Sequence, residues 1–496
     1  MTPTIPALND SLWLTSPALL LTVVAIVVML GEAIVRPARK TGFWALTLGA
    51  LVVAFGVNAM LYAELDVAKL AFAGMVRIDR YGLFFQGVVI LAAALSVVIS
   101  DDYLERIGVQ VGEYYSLVLF GVAGMGLMGF ANDLMMVFIA LEVMSISMYV
   151  LCAMKRGDPR SVEAGFKYFI LGAFSSGLML YGISFVYGTV GSTNLEALSA
   201  ALAHPPVGDN GSLLKVGGAL LLVGFGFKVA SVPFHMWTPD VYQGAPISVT
   251  ALMSSGVKAA SFAAFGRLVI GAFGAEAVGW AGGLWWMAAL TMLVGNIAAL
   301  VQTDLKRMLA YSSIAHAGYL LMALSAAGSG EVAGDSAMAG ILFYMVAYTF
   351  MNAGAFMVLS SFSKDGADHT NLSDLAGLGK SNPGLAAALS LFLLSMAGIP
   401  PTIGFVGKFY LFVAAVEAGQ TSLAIIGALA AATGVYYYLR PMVYMYMHEG
   451  APRVTVSRAA MAGLVVCGVA IVVFGIAPSG VLAWAQASLA SVIPAI

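Results

Sequence analysis

The chain has 496 residues, of which 61% are apolar and only 10% charged, with a formal net charge of −2. A soluble domain carries roughly a quarter charged residues, so too little polar surface is available for a fold in water, and soluble-enzyme classes are excluded. Nothing in the charge balance points to nucleic acid.

Apolar runs of about 20 residues recur from end to end, each long enough to cross a bilayer as a helix. The first begins near Leu12, lacks a basic flank before it, and continues to Val35, too long for a signal-peptide core. The fold expected is an all-α membrane protein of about fourteen spans, with limits near 12–35, 42–62, 81–100, 113–130, 133–153, 164–188, 212–232, 247–272, 279–301, 305–327, 336–361, 383–416, 421–447 and 459–485. Asn132 and Asp133 supply a tight turn between the fourth and fifth. Cys152 and Cys467 form neither a disulfide framework nor a metal motif, and no phosphate loop, nucleotide fingerprint or Cys/His cluster occurs. Any redox centre therefore lies in another chain.

Orientation follows from lysine and arginine in short loops. Arg36, Arg39 and Lys40 follow the first span, and Lys155, Arg156 and Arg160 the fifth. Lys306 and Arg307 follow the ninth, Lys364 and Lys380 the eleventh, Arg453 and Arg458 the thirteenth. These loops share one side, so that side is expected to be cytoplasmic and both termini to face outward. Lys69, Arg77 and Arg80, before the third span, oppose this assignment.

Two spans look broken. The seventh runs into "GFGFKVASVPFHMWTPDVYQGAP", residues 224–246, with Pro233 and Pro239; the twelfth contains "AGIPPTIGFVGKF", with Pro400 and Pro401. Proline removes an amide donor and clashes with the preceding turn, and inside a bilayer the freed groups need protein or water partners. The breaks lie five spans apart. Five is odd, so the two copies cross in opposite directions, as in inverted-repeat transporters. Ordinary proline kinks are the alternative reading.

Four ionisable residues lie where the hydrocarbon makes each cost roughly 3 kcal/mol: Glu142 in the fifth span, Lys228 before the Pro233 break, Lys258 in the middle of the eighth span, and Lys408 after the double proline. Snorkelling explains Lys167 and Arg267 near span ends. It explains Lys258 poorly, because about eleven residues, roughly 16 Å of helix, separate it from either end. A purely structural buried ion pair is the other bland reading. A line of lysines suits proton carriage: desolvation disfavours a buried ammonium, and a nearby carboxylate restores it. His235 and His316 are candidates to join the line, although a neutral packed histidine explains His316 equally well. Tyr311, Ser312 and Ser313 either order water or bond their own helix backbone. Lys306 is assigned to surface solvation.

"KVASVPFHMWTPDVYQGAP", "EAGFKYFILGAFSSGLMLYG", "DLKRMLAYSSIAHAGY" and "LSMAGIPPTIGFVGKFYLF" resemble the antiporter-like membrane subunits of respiratory complex I, over residues of about 113 to 447. "WTPDVYQGAP" and Lys408 resemble the subunit N type rather than M, which has a glutamate in that helix. The resemblance implies two inverted five-helix repeats with discontinuous helices 7 and 12. The parts would be 1–112 (helices 1–3), 113–272 (helices 4–8), 279–447 (helices 9–13) and 448–496 (helix 14). It implies Glu142 and Lys228 as a coupled pair, Lys258 as central proton carrier and Lys408 at the exit half-channel. NADH, FMN, iron–sulfur clusters and quinone would belong to partner subunits, with no cofactor in this chain. The partners would be other membrane-arm subunits, related antiporter-like ones among them, and membrane lipids, in a bacterial inner (cytoplasmic) membrane. The alternatives are a subunit of a multi-subunit cation/proton antiporter, which shares the Glu and Lys positions, and a stand-alone secondary transporter.

Overall fold

The computed structural model describes residues 8–202, 209–273, 280–328 and 331–490. Among them, thirteen helices are long and apolar enough to cross a membrane. Numbered as crossings, spans 1 to 6 are Ser16–Val35, Thr41–Glu64, Arg80–Val98, Glu113–Phe130, Leu134–Cys152 and Pro159–Val190. Span 7 ends at Lys228, and span 8 is Ile247–Ala272. Spans 9 to 11 are Trp280–Leu300, Leu305–Ala327 and Gly334–Ser360, and spans 13 and 14 are Thr421–Met447 and Arg458–Ile476. The remaining crossing, span 12, consists of two shorter helices, Pro383–Ala397 and Ile403–Glu417. The expected fourteen crossings are thus thirteen helices each long enough to cross by itself and one, span 12, made of two shorter pieces. The last is shorter than expected, because Pro478 separates it from a further helix, Ser479–Leu489. All but the first residue of the expected junction between the two repeats, 273–278, lies outside the described residues, as do residues 1–7 and 491–496 at the termini.

Spans 8, 10 and 11 are wrapped by neighbours on all sides, whereas spans 1, 2, 6, 13 and 14 turn one face outward. That outer face carries Val23, Leu30, Val52, Phe166, Phe174, Leu429 and Val465, side chains that suit lipid or another membrane subunit. Lipid gives helices no hydrophobic reason to associate, so close packing through small residues takes over. Spans 9 and 10 show it: a Cβ on Gly295 would sit 2.6 Å from the Ala315 nitrogen, and one on Gly318 would sit 2.7 Å from the Met292 nitrogen.

The ends opposite the Lys/Arg-rich loops are tied by side-chain caps. A two-stranded antiparallel hairpin, Lys69–Ala71 with Val76–Ile78, precedes span 3. Asp79 caps span 3 by accepting from the Gly82 amide, and Asp133 caps span 5 by accepting from Met135. Thr193, after span 6, donates to the Asp133 carboxylate at 2.8 Å, so the expected turn at 132–133 is anchored to a neighbouring loop.

Arg267 corrects one expectation. It does not snorkel: it is 4% exposed and grips Asp79 through both terminal nitrogens at 2.7 and 2.8 Å, while also donating to the Gly129 carbonyl. The forked guanidinium meets a carboxylate of matching geometry, which makes burial tolerable. Arg77, one of the residues opposing the charge-bias rule, also faces Asp79 and Glu196, each at 3.4 Å. Removing one partner of a buried pair strands the other, at a cost of about 3–5 kcal/mol. Asp79→Ala is therefore expected to lower the Tm of the assembled protein and its amount in membranes. An unchanged Tm would mean the pair carries no stability.

Candidate functional site

Span 7 ends as a helix at Lys228, the backbone unwinds, and a short helix resumes at Thr238–Gly244. The freed groups find protein partners. The Val232 amide donates to Thr291 Oγ1 of span 9 at 2.9 Å, and the Trp237 indole donates to the Phe227 carbonyl at 3.1 Å. This is how a break survives at membrane depth. Span 12 unwinds likewise between Ala397 and Ile403.

Lys228 is 2% exposed. Its Nζ donates to Ser145 Oγ at 2.8 Å and to the Tyr149 hydroxyl at 3.4 Å, and the rings of Tyr149, Tyr168 and Phe227 lie 5.5–5.9 Å away. Glu142, Ser145 and Tyr149 follow one another at three and four residues along span 5, so they share one helical face. The structure brings Lys228 onto the face that carries Glu142, but among the described residues no ion pair joins the two. Ser145, one turn along, takes the ammonium instead, and Glu142 Oε1 is buried without a hydrogen-bond partner. Ser145, Tyr149 and Tyr168 were not singled out in the sequence, although the spacing of Ser145 and Tyr149 from Glu142 is visible there.

Lys258 is also 2% exposed. A π-helical turn, Met253–Val257, immediately precedes it, and a second, Leu268–Phe273, closes span 8. Such turns are rare and cluster at functional sites. The Lys258 ammonium donates to the Ser313 carbonyl of span 10 and lies 5.8 Å from the Tyr348 ring. Ser313 Oγ and the Tyr348 hydroxyl are buried without hydrogen-bond partners.

His316 follows one turn further along span 10. Nδ1 meets the Tyr344 hydroxyl, and Nε2 meets the Tyr438 hydroxyl at 2.9 Å, which in turn lies 2.5 Å from Ser312 Oγ. A hydroxyl donates or accepts, so this cradle fits either neutral tautomer. Another turn along, the Tyr319 ring lies 5.1 Å from Lys408 Nζ. Lys408 donates to the carbonyls of Met396 and Ala397, at 2.8 and 3.1 Å. These are the last carbonyls of the first half of span 12, where orphan acceptors and the helix dipole favour a cation. Span 10 thus presents Ser313, His316 and Tyr319 in successive turns, with Lys258 at one end of the row and Lys408 at the other.

His235 stands apart. It is half-buried in the span 7 break beside the exposed Met236, its Nδ1 has no partner, and among the described residues it bonds to none of the three lysines. Lys167, part-exposed near the start of span 6, pairs with Asp240 at 2.6 Å, in keeping with an interfacial lysine.

Lys306 overturns the solvation reading. It is 2% exposed, donates to the Ala245 carbonyl at 2.7 Å and pairs with Asp368 at 3.1 Å. Asp304, its neighbour in sequence, instead caps span 10 by accepting from Arg307. The true partner comes from the loop after span 11, which sequence spacing does not reveal. Among the described residues no group of His, Cys, Asp and Glu is placed to hold a metal ion.

A family model described as "NADH:quinone oxidoreductase/Mrp antiporter, TM" matches residues 131–434. The NADH-quinone oxidoreductase subunit N of Trichlorobacter lovleyi is 46% identical over 475 residues, 95% of either chain. A chain of respiratory complex I from Thermus thermophilus with bound aureothin superposes with a TM-score of 0.80 at 33% identity, covering 95% of this chain and 100% of that one. A chain of the Mrp complex from Dietzia sp. DQ12-45-1b superposes with a TM-score of 0.85 at 20% identity, over 97% of each chain, a likeness of fold alone. With identity that extends over nearly the whole length and a shared fold, the chain belongs to the subunit N family of NADH-quinone oxidoreductase.

Proposed function

We propose that this chain translocates protons in the membrane arm of an NADH:quinone oxidoreductase, through a relay of Glu142, Lys228, Lys258 and Lys408. The observation that carries the reading is the row on span 10: two buried lysines, one at each end, with His316 between them. Among the described residues, neither Lys258 nor Lys408 is held by a carboxylate. Carbonyl oxygens and rings hold them, so no ion pair has to break when a proton leaves. Glu142 supplies the charge that biases Lys228 through Ser145. His316 bridges Lys258 and Lys408, and His235 has the weaker claim to a part. Electron transfer belongs to other subunits, which hold NADH, FMN, iron–sulfur clusters and quinone. This chain is the translocating part and does no redox chemistry.

The reading places residues 113–272 and 279–447 as inverted repeats about the Lys258 region, with 1–112 and 448–496 packed around them. It also places the chain beside related antiporter-like subunits and lipids in a bacterial inner membrane. Membranes lacking the chain are expected to lose NADH-driven proton uptake. If they keep it, the reading fails. If the chain alone restores sodium tolerance to antiporter-deficient cells, the cation/proton antiporter takes its place.

The Lys/Arg-rich loops put both termini on the outer side. Single cysteines at the exposed positions Ala38 and Thr455, and at Gly157, test this in cells whose other reactive thiols are blocked. A membrane-impermeant maleimide should label them only when the cytoplasmic face is open. Labelling in intact cells with an intact outer surface reverses the orientation.

A further inference from the structure

On the face that carries the Lys/Arg-rich loops, a cavity of about 360 Å³ opens between the ends of several spans. Asp158, Gln243, Asp304 and Arg307 line it, and Tyr103, Lys306 and Asp368 also border it. The buried pair is asymmetric. The Asp368 side chain is 19% exposed and the Lys306 side chain 3%. The carboxylate is on the wet side and the ammonium on the dry side. Asp368 is further held by the hydroxyls of Tyr103, at 3.2 Å, and Ser363, at 2.7 Å. Lys306 and Ser313 lie two turns apart on one face of span 10, roughly 10 Å along the axis, and Ser313 is the residue whose carbonyl holds Lys258.

We propose that this cavity is the proton inlet of the chain, with Asp368 as first acceptor and Lys306 as the group that passes the proton inward to Lys258. The proposal rests on the relay reading above and adds its mouth. A proton from cavity water binds Asp368 Oδ2, which becomes a neutral acid, and the ion pair is lost. The Lys306 ammonium, left without a counter-charge, releases an N–H proton inward to a neutral Lys258 amine. The neutral Lys306 amine then takes the proton from Asp368, and the pair re-forms. One proton has moved from the cavity to Lys258, and no charge is left behind. Roughly 10 Å is too far for direct transfer, so water must bridge it. Ser313 Oγ and the Tyr348 hydroxyl, buried and without partners, are the groups such water would bond.

The rival is mechanical. Lys306 bonds the Ala245 carbonyl, and the Ile247 amide donates to the Tyr103 hydroxyl at 2.7 Å, so the cluster also ties loop ends together. The two differ in what arginine does. Lys306→Arg keeps the charge, the pair and the tie, but guanidinium does not release a proton at neutral pH. In inverted vesicles containing the whole assembled complex, Lys306→Arg is expected to slow NADH-driven proton uptake by about tenfold or more. Asp368→Asn should do the same, and Asp368→Glu should keep most of the uptake. Normal uptake in Lys306→Arg or Asp368→Asn overturns the inlet. If these variants do not assemble, Ala367→Cys decides, since Ala367 is exposed and lines the cavity, whereas Cys152 and Cys467 are buried. A charged, impermeant thiol reagent should then block uptake in that variant and not in the unsubstituted complex. Full labelling with unchanged uptake overturns the inlet. Lys258→Ala runs alongside. If it pumps normally, the relay itself is wrong. If it fails while Lys306→Arg pumps, only the inlet is wrong.

Discussion

Lys258→Ala is expected to reduce NADH-driven proton uptake by about a hundredfold, the scale on which a positioned proton-transfer group contributes, while the complex still assembles. Assembly should survive because the side chain's partners are one carbonyl and one ring, and that carbonyl sits in a helix that can satisfy it. Among the described residues nothing else is positioned to carry the proton at that point: Lys258 is 2% exposed, and span 10 leads from it to His316 and on to Tyr319 beside Lys408. Lys258→Arg separates charge from proton transfer. A guanidinium bonds a carbonyl and stacks over a tyrosine at least as well as an ammonium does, but it holds its proton at any physiological pH. The arginine variant should therefore assemble like the unsubstituted protein and pump about as poorly as the alanine variant. The readout is proton uptake in inverted vesicles, with quinone reduction measured on the same preparation. Normal pumping by Lys258→Arg would show that position 258 needs a positive charge and not a transferable proton.

What the sequence revealed, and what it hid, divides along a physical line. Crossings are legible because lipid demands about 20 apolar residues and tolerates little else. The breaks at Pro233 and Pro400–Pro401 are legible because proline acts on its own backbone. Glu142, Lys228, Lys258 and Lys408 are legible because a charge in an apolar run is costly wherever the chain goes. Partners are not legible. Arg267 and its carboxylate are 188 residues apart, and Lys306 and Asp368 are 62 apart. Read alone, each cation resembled one that reaches solvent; only packing shows that each meets an acid. His316 looked equally like a packed histidine or a relay because its hydroxyls come from spans 11 and 13. The π-helical turn before Lys258 is a shift of helical register, and "MSSGV" carries no mark of it. The proposed pairing of Glu142 with Lys228 shows the limit most sharply: depth and motif pointed to both residues, but not to Ser145, which accepts from the Lys228 ammonium.

That serine shapes the last expectation. Glu142→Gln keeps the shape of the side chain and removes its charge. Lys228 then keeps its bonds to Ser145 and Tyr149 but loses the only carboxylate on the span 5 face it meets. A hydrogen bond from a neutral hydroxyl does not replace a counter-charge in low dielectric, so the lysine can no longer cycle. Proton uptake should fall about tenfold or more, and quinone reduction by NADH should fall with it if pumping and electron flow are tightly coupled. Lys228→Met should match that loss, and Glu142→Gln combined with Lys228→Met should add little, since groups acting as one unit are not additive. Ser145→Ala is the variant that the structure adds. It leaves both charges in place and removes the hydroxyl that accepts from Lys228, so it should impair the same two assays while the complex still assembles. If Glu142→Gln vesicles match the unsubstituted protein on both assays, or the two single losses simply multiply in the double variant, Glu142 and Lys228 are not a coupled pair. If only Ser145→Ala behaves normally, the pair is real, and carboxylate and ammonium meet directly in the working cycle without the serine.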